Sequence, residues 1–551
     1  VSRSVLGNEG FQGYPVAYGD FNSDEVADVF TVFEYDKYFE LRILFGFVEA
    51  PFLRDLNVSC RFNSSKHHAM GKYFMTGDFD GDGALDVLYS YPKSHKSIEK
   101  FISFILWGDT NSLDCNSHLG PPLKSDDQPV AIDYNNDLVP DLFYTINGTK
   151  YIWKNKNRKN ETIACDTYFD DVFCSNKTVI SMPITSSYVD INRDSYSDFV
   201  VGLNESIVAC DERVGQKVKC RNLANYPQNF SRIGQIIFSD IGRTGYLNML
   251  LPACEDDNNC KIFWFVNGKF QDTKIDFSFE DNTWSFISPK LNFVFSNTFF
   301  LRSGDFDMDG YPDFLISLMN NKKMFRTFLL ANVPATSNFL INQRKLVIQY
   351  DQFDFLKDVV LASFFDSSQN GNLDIFAVSG NNTHFTRVFK PVMDEDIYFV
   401  KVTVVSGIRN ESLTNNIQTM KKLKYYGSHI IGVSISYDTK TLEDVYQKSI
   451  AVQNQKSAYM CLEMPYVVFG LERTRELIDN LNISLVGLSR SWQKTFPNSQ
   501  VIVLPLGLEN TKNWKIVLFL TPNRLIYYIA LLIVTVFAGI VLLLQWKERR
   551  E

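Results

Sequence analysis

The chain has 551 residues, with 63 acidic against 55 basic side chains and a formal charge of −8. That length exceeds one ordinary domain and can bury a large core. No Lys/Arg cluster marks a nucleic-acid partner, and 46 Phe with 26 Tyr favour strands over helices.

An acidic loop opens the chain and then recurs. Asp20, Asn22, Asp24 and Asp28 occupy relative positions 1, 3, 5 and 9 of the first copy. Asp78, Asp80, Asp82 and Asp86 form the second, and Asp133, Asn135, Asp137 and Asp141 the third. Asp190, Asn192, Asp194 and Asp198 follow, and later Asp305, Asp307, Asp309 and Asp313. A hard cation such as Ca²⁺ takes about six to eight oxygens, and this spacing offers four side chains plus a backbone carbonyl at position 7. Gly83 stands where the backbone of the second copy must turn sharply. An EF-hand would need flanking helices and a bidentate Glu at position 12. Position 12 is instead Thr31, Tyr89, Tyr144, Val201 or Ile316. The position-9 Asp leads into apolar runs, as at 86–89, 141–144 and 313–316, which predict buried strands.

Two weaker copies keep the frame. Asp366, Ser368, Asn370, Gly371 and Asp374 retain fewer charges, and Asp240, Gly242, Thr244, Gly245 and Asn248 retain only the turn. Starts at 20, 78, 133, 190, 240, 305 and 366 lie 58, 55, 57, 50, 65 and 61 residues apart. Such an interval holds four strands, and seven units predict a β-propeller that closes radially and hides its strand edges. Apolar strands are expected at 101–107, 151–154, 261–266, 324–331 and 385–389. The five full loops carry 17 ligand-position carboxylates, so five Ca²⁺ would take the charge from −8 to +2. The ions would be structural, stiffening turns whose carboxylates otherwise repel; a sensor role or a partner's carboxylate on one ion are lesser readings.

Nine cysteines suit an oxidising compartment. Cys165 and Cys174, Cys210 and Cys220, and Cys254 and Cys260 are near neighbours, while pairing Cys60 with Cys115 would leave Cys461 alone. Sequence leaves the connectivity open. Ten sequons fit a secretory chain: Asn57, Asn63, Asn147, Asn160, Asn176, Asn204, Asn229, Asn381, Asn410 and Asn482. Past residue 391 the repeat stops. Runs at 397–406, 430–437, 449–452, 457–463, 485–488 and 501–506 predict short strands of a β-sandwich over 392–520. Residues 525–546 carry no charge and make about 33 Å of helix, enough to cross a bilayer. Tyr527, Tyr528 and Trp546 stand at interfacial positions, and Lys547, Arg549 and Arg550 against Arg524 place the C-terminus in the cytoplasm. A chain opening at Val1 is read as having lost a signal peptide, giving a type I single-pass protein. Its propeller spans 1–391, its sandwich 392–520, its transmembrane helix 521–546, and a cytoplasmic tail starts at 547–551.

Segments 19–24 (GDFNSD), 251–257 (LPACEDD), 304–313 (GDFDMDGYPD), 362–366 (ASFFD), 497–503 (PNSQVIV) and 518–522 (LFLTP) carry a specific resemblance. The chain resembles the T-cell immunomodulatory protein (linkin) family over nearly its whole length, and its loops resemble the calcium loops of FG-GAP repeats in integrin α-chain propellers. The resemblance implies a type I surface glycoprotein linked to cell adhesion and, in soluble form, to immune modulation. Residues 466–474 (YVVFGLERT) are similar to the small β-domain after propeller repeats in ASPIC/UnbV-type proteins. Most FG and GAP flanks and a long leg region are missing, which argues against an integrin-style β-subunit partner.

Catalytic motifs do not occur. His67 and His68 read as surface residues, and His95, His118, His384 and His429 stand in no motif. Asp126 with Asp127 and Asp256 with Asp257 read as solvated turns, and Tyr425, Tyr426 and Trp492 as core or domain-contact residues. The expectation is an all-β, non-enzymatic membrane glycoprotein. It has a seven-bladed FG-GAP-type propeller, a juxtamembrane β-sandwich, one transmembrane helix and about five structural Ca²⁺. Its partner is an extracellular or membrane protein, met at the plasma membrane or a secretory-pathway membrane, with no nucleic acid and no small-molecule substrate. An accessory subunit of a larger membrane complex is the alternative. An ectoenzyme acting on glycans or lipids is the third reading, which perturbed acids clustered in a central channel would favour.

Overall fold

The computed structural model describes residues 2–63, 72–93, 101–109, 111–116, 122–156, 158–211, 217–279, 282–287, 298–336, 341–350, 353–380, 384–391, 397–408, 427–440, 444–472, 477–520 and 524–550. Within them the chain is all-β apart from short helical turns and one C-terminal helix.

Each repeat interval folds into its own antiparallel sheet. Tyr14–Gly19, Asp28–Glu34, Tyr38–Gly46 and Leu53–Asn63 pair in that order. The second sheet is Tyr73–Gly77, Asp86–Pro92, Phe101–Leu106 and Leu123–Ser125; the third is Val130–Ile132, Asp141–Ile146, Thr149–Lys156 and Lys159–Ala164. Ser186–Val189, Asp198–Gly202, Ser206–Asp211 and Lys219–Asn225 make the fourth. In the fifth and sixth the first strand comes in two pieces. Arg232–Ile233 and Ile237–Ser239 both pair with Asn248–Cys254, and Asn282–Phe286 and Arg302–Gly304 both pair with Asp313–Asn320. The seventh holds Val359–Phe365, Asp374–Ser379 and Phe385–Phe389, and takes its outer strand, Phe11–Gln12, from the start of the chain. Every acidic loop joins the first strand of its sheet to the second. Those second strands are buried on both faces, which is why they read as unbroken apolar runs rather than as alternation.

Four disulfides form: Cys60–Cys115, Cys165–Cys174, Cys210–Cys220 and Cys254–Cys260. The last two join directly opposed residues of neighbouring strands, and the first ties sheet one to the segment between the third and fourth strands of sheet two. Cys461 is free.

Beyond residue 396 two four-stranded sheets share one core. Val467–Glu472, Tyr398–Val404, Ser499–Leu504 and Lys515–Leu520 form one, and Tyr446–Gln453, Val433–Lys440, Ile478–Leu485 and Leu488–Thr495 the other. Val400, Val402, Ile435, Leu481, Val501 and Trp514 fill the space between them. Two sequence expectations are corrected here. Residues 485–488 are the turn of a hairpin, with strands on both sides. Residues 457–463 form no strand, and Tyr459 and Leu462 adopt positive φ. Their apolar side chains are buried for another reason.

That reason is the repeat array. Residues 455–466 leave the second domain and lie against the first strands of the sheets. Tyr459 packs its ring on Tyr73 and Phe101 of sheet two and donates its hydroxyl to Asp127 at 2.5 Å. Ser457 accepts from the Ala131 N–H of sheet three, and the Gln455 carbonyl from the Tyr188 N–H of sheet four. The Gln455 amide exchanges two bonds with the backbone of Phe238 in sheet five. Arg302 of sheet six donates to the carbonyls of Met460 and Cys461, and Tyr466 packs on Phe365 of sheet seven and accepts from the Asp366 N–H that follows it. Cys461, Leu462 and Glu463 line one small cavity with Val16, Ala17 and Tyr18 of sheet one. One twelve-residue segment therefore meets all seven sheets. Asp126 and Asp127 belong to this interior and are not solvated turns: both are buried, and Asp126 accepts from the Asn147 and Gly148 N–H groups. Asp256 is exposed, as expected of a turn.

The helix Arg524–Glu548 is 25 residues long, about 37 Å, and its apolar stretch is not covered by the rest of the chain.

Removing the Tyr459 ring should therefore loosen several sheets at once. Tyr459→Ala is expected to cost about 3–5 kcal/mol and Tyr459→Phe, which strips one bond from buried Asp127, about 1–3 kcal/mol. Urea denaturation of the full chain in detergent reads both, and an unchanged midpoint for Tyr459→Ala would contradict the contact's importance.

Candidate metal centres

All seven loops adopt one backbone frame, weak copies included. The position-9 side chain accepts the N–H of position 2 in each: Phe21 to Asp28, Phe79 to Asp86, Tyr134 to Asp141, Ile191 to Asp198, Ile241 to Asn248, Phe306 to Asp313 and Ser367 to Asp374. The position-1 Asp accepts the N–H of position 6, as Gly83 donates to Asp78 at 2.9 Å and Gly371 to Asp366 at 3.0 Å. Position 5 accepts from position 7, and Thr244 does this for Tyr246 where the other loops use Asp or Asn. Positions 4 and 6 have positive φ in every loop, from Ser23 and Glu25 to Gln369 and Gly371. Glycine at position 6, as at Gly83, takes that conformation without strain. The frame thus holds the position-1 and position-9 carboxylates side by side under the turn.

In the second loop Asp78, Asp80 and Asp86 bring carboxylate oxygens within 4.8 Å of one another, and in the sixth Asp305, Asp307 and Asp309 do the same. In the first, third and fourth loops the position-3 amide (Asn22, Asn135 or Asn192) donates to the Asp at position 5. Turning each amide over would present its oxygen instead. Burial followed by mutual repulsion pushes these acids upward: Asp78 to about 8, Asp133 to about 7 and Asp309 to about 6. Asp141 rises to about 9 and Asp198 to about 8, while Asp20, Asp28, Asp86, Asp305 and Asp313 are raised well above the usual range. Asp198 and Asp305 each keep one buried oxygen with no hydrogen-bond partner. Crowded, dehydrated, all-oxygen donors of this kind fit a hard divalent cation.

Some loops are partly neutralised by the chain itself, through residues that motif spacing could not reveal. Arg158 reaches from sheet three to Asp80 at 2.8 Å, and Arg344 reaches Asp309 at 2.9 Å. Most completely, Lys401 of the second domain sits buried 3.2 Å from Asp366 and also bonds Gln369. Asp374, in the same loop, is pushed up to about 7, first by burial.

The second domain covers this rim. Gln500 donates to the Glu25 carbonyl, Leu138 enters the core between the two sheets, and Ser197 donates to the Gly432 carbonyl. Arg243 of the fifth loop meets Glu472 at 2.9 Å and Tyr437 at 3.2 Å, and the Gly470 N–H donates to Asp305 at 2.8 Å. The first, third, fourth, fifth, sixth and seventh loops thus touch it directly.

Among other expected residues, Asn57, Asn63, Asn147, Asn176, Asn204 and Asn229 are exposed, and Asn482 is half-buried on a strand. Asn381, Asn410, His67, His68, His95, His118, Tyr425 and Tyr426 lie outside the described residues, as does the side chain of Asn160. His429, which stands in no motif, is buried where the second domain meets sheet one, and burial lowers it to about 4. Trp492 packs against the second domain's core.

The family model described as "ITFG1, C2 domain" matches residues 425–519. The human "T-cell immunomodulatory protein" is similar over all of this chain and 91% of its own length, at 28% identity. The protein of that name from Macaca fascicularis is 32% identical over 45% of this chain and 84% of its own length. "Protein linkin" of Caenorhabditis elegans is 24% identical over 93% of this chain and 88% of its own length.

The raised acids set a pH dependence whose sign follows from linkage. A carboxyl whose folded-state pKa lies above its unfolded value binds its proton more tightly when folded, so stability falls as pH climbs between the two values. In chelator, the melting temperature should rise as pH falls from about 8 to about 6, the range spanned by Asp78, Asp133 and Asp309. Thermal scans at constant ionic strength test this, and a melting temperature that falls over that range would contradict it.

Proposed function

We propose that this chain, which belongs to the T-cell immunomodulatory protein family, presents a calcium-stiffened seven-bladed propeller outside the cell for protein–protein contact in adhesion or immune modulation. In this reading the seven sheets close into a ring, the first strands line its axis, and the C-terminal helix anchors it with the tail in the cytoplasm. The ring is supported by Phe11–Gln12 completing the seventh sheet and by one segment meeting every first strand.

The observation that carries the function is the filled axis. Residues 455–466 occupy the space where a propeller enzyme would seat substrate, and the perturbed acid there, Asp127, is bonded to Tyr459 and to the N–H groups of Gln128 and Ile184. The loop rim is covered as well. What remains to meet a partner is the outer strands and the opposite rim, a geometry for binding large surfaces. Proximity labelling from the ectodomain on intact cells, compared with an anchored control, should enrich surface proteins. Enrichment equal to the control would count against an interaction role.

Calcium would be held by Asp20, Asn22, Asp24 and Asp28, and by the matching sets that begin at Asp78, Asp133, Asp190 and Asp305. When bound it supplies only charge neutralisation and a rigid turn. The Lys401 ammonium would take its place in the seventh loop, so Asp366, Ser368, Asn370 and Asp374 would bind no ion. Equilibrium dialysis should then find about five Ca²⁺ per chain and not six. Excess chelator at neutral pH should lower the melting temperature, and replacing Asp80 and Asp82 with Ala should remove one ion and reduce surface expression. No thermal shift on chelation would refute structural calcium.

A further inference from the structure

The end of the second domain nearest the helix is unusually apolar. Six large apolar side chains of this domain are exposed: Tyr398, Val445, Tyr446, Phe496, Leu518 and Phe519, at 36 to 58%. Strand pairing shows that they share one end. Tyr398 starts its strand beside Glu472 and runs parallel to the strand that begins at Ser499. Ser499 faces Leu520, the last residue of the edge strand that bears Leu518 and Phe519. Phe496 lies just before Ser499, on the short link from Thr495, which faces Ile478. Asp438 faces both Asn480 and Lys448, so the hairpin that carries Val445 and Tyr446 turns at the same end. Among the described residues, the opposite end of the two sheets bears no exposed large apolar side chain.

The chain itself says what covers this end. Only three residues separate Leu520 from the helix that starts at Arg524. Four peptide steps reach about 14 Å at most. A polar headgroup layer is about 5–7 Å deep on each side of the hydrocarbon. If the helix spans with Arg524 at the hydrocarbon edge, Leu520 stands at most about 7–9 Å beyond the headgroup layer, and aromatic side chains prefer that interface. An apolar rim held there by its own covalent tether has a bilayer as its nearest neighbour.

We propose that the Tyr398, Tyr446, Phe496 and Phe519 rim rests in the interfacial layer of the bilayer that holds this chain's own helix. The proposal rests on the anchor reading above. It makes the second domain a foot: its rim side chains sit among lipid headgroups and acyl carbonyls, and its body fixes the acidic-loop rim at a set height above the membrane.

The test uses the full chain in phosphatidylcholine nanodiscs, with photoreactive benzoylphenylalanine replacing Tyr446, Phe496 or Phe519 in turn. Lys512, exposed at the opposite end, is the control position. Irradiation followed by mass spectrometry should give several-fold more lipid adduct at the three rim positions than at Lys512. Rim yields no higher than the control would overturn the proposal, as would rim adducts to a second copy of the chain or to another protein. Alkaline carbonate extraction of native membranes separates the two failures. Release of the chain would sink the anchor reading and the proposal together, whereas retention with background adducts sinks the proposal alone.

Discussion

The structure depends on one chain segment that belongs to neither neighbour alone. Residues 455–466 supply hydrogen bonds that the first strands of the sheets would otherwise lack, because those strands have no further strand on their inner side. The N–H groups of Ala131, Tyr188 and Phe238 find acceptors about 220 to 330 residues away in sequence. A buried backbone N–H left without a partner costs about 1–3 kcal/mol, so several such losses together rival a domain's whole stability. The segment also brings its own charge pair, Lys456 with Glu463 at 3.8 Å, into the same interior as Arg302. Burial lowers Lys456 and raises Glu463, and the attraction between the two works against both shifts.

The acidic loops are the second constraint, and they pull the other way. Their shared backbone puts two dehydrated carboxylates side by side, an arrangement that opposes folding until something positive arrives. The seventh loop receives a lysine, the second and sixth receive an arginine as well as their own acid cluster, and the fifth has lost most of its acids. Since the fifth and seventh loops keep the same hydrogen bonds, the turn itself is written in the Asp at position 1 and the Asx-type contact at position 5, not in the cation. A bound cation would relieve the repulsion between the acids without being what shapes the turn.

That separation explains what the sequence made legible. The loops were readable because all their donors lie within nine residues, and the second strands because burial on both faces leaves a continuous apolar run. The strand at Phe11–Gln12 was invisible: it is two residues long, and its partner, Phe385 with Thr386, lies across the whole repeat array. Residues 457–463 looked like a strand because they are apolar, but their burial comes from packing against the strands of other sheets. Asp126 and Asp127 looked like a turn, yet one caps the backbone at Asn147 and the other anchors Tyr459. Lys401, Arg158 and Arg344 carried no local signal, since each comes to its loop from a different strand or sheet. Local chemistry reads from spacing; compensation supplied from a distance does not.

The two domains therefore cannot be treated as separable modules. The repeat array contributes Leu138 to the core of the second domain, and the second domain contributes residues 455–466 to the interior of the array and Lys401 to one of its loops. Cutting the chain near residue 391 would strand Asp127, Asp366 and the inner N–H groups on one side and expose the paired sheets' apolar contacts on the other. Because Lys401 and Asp366 are both buried, removing either leaves a lone charge in a dry site, at a cost of about 3–5 kcal/mol. The same contacts that stabilise the array also fix how the second domain sits against the acidic loops. Order in the repeat array and the seating of the second domain are thus linked through residues 455–466 and Lys401.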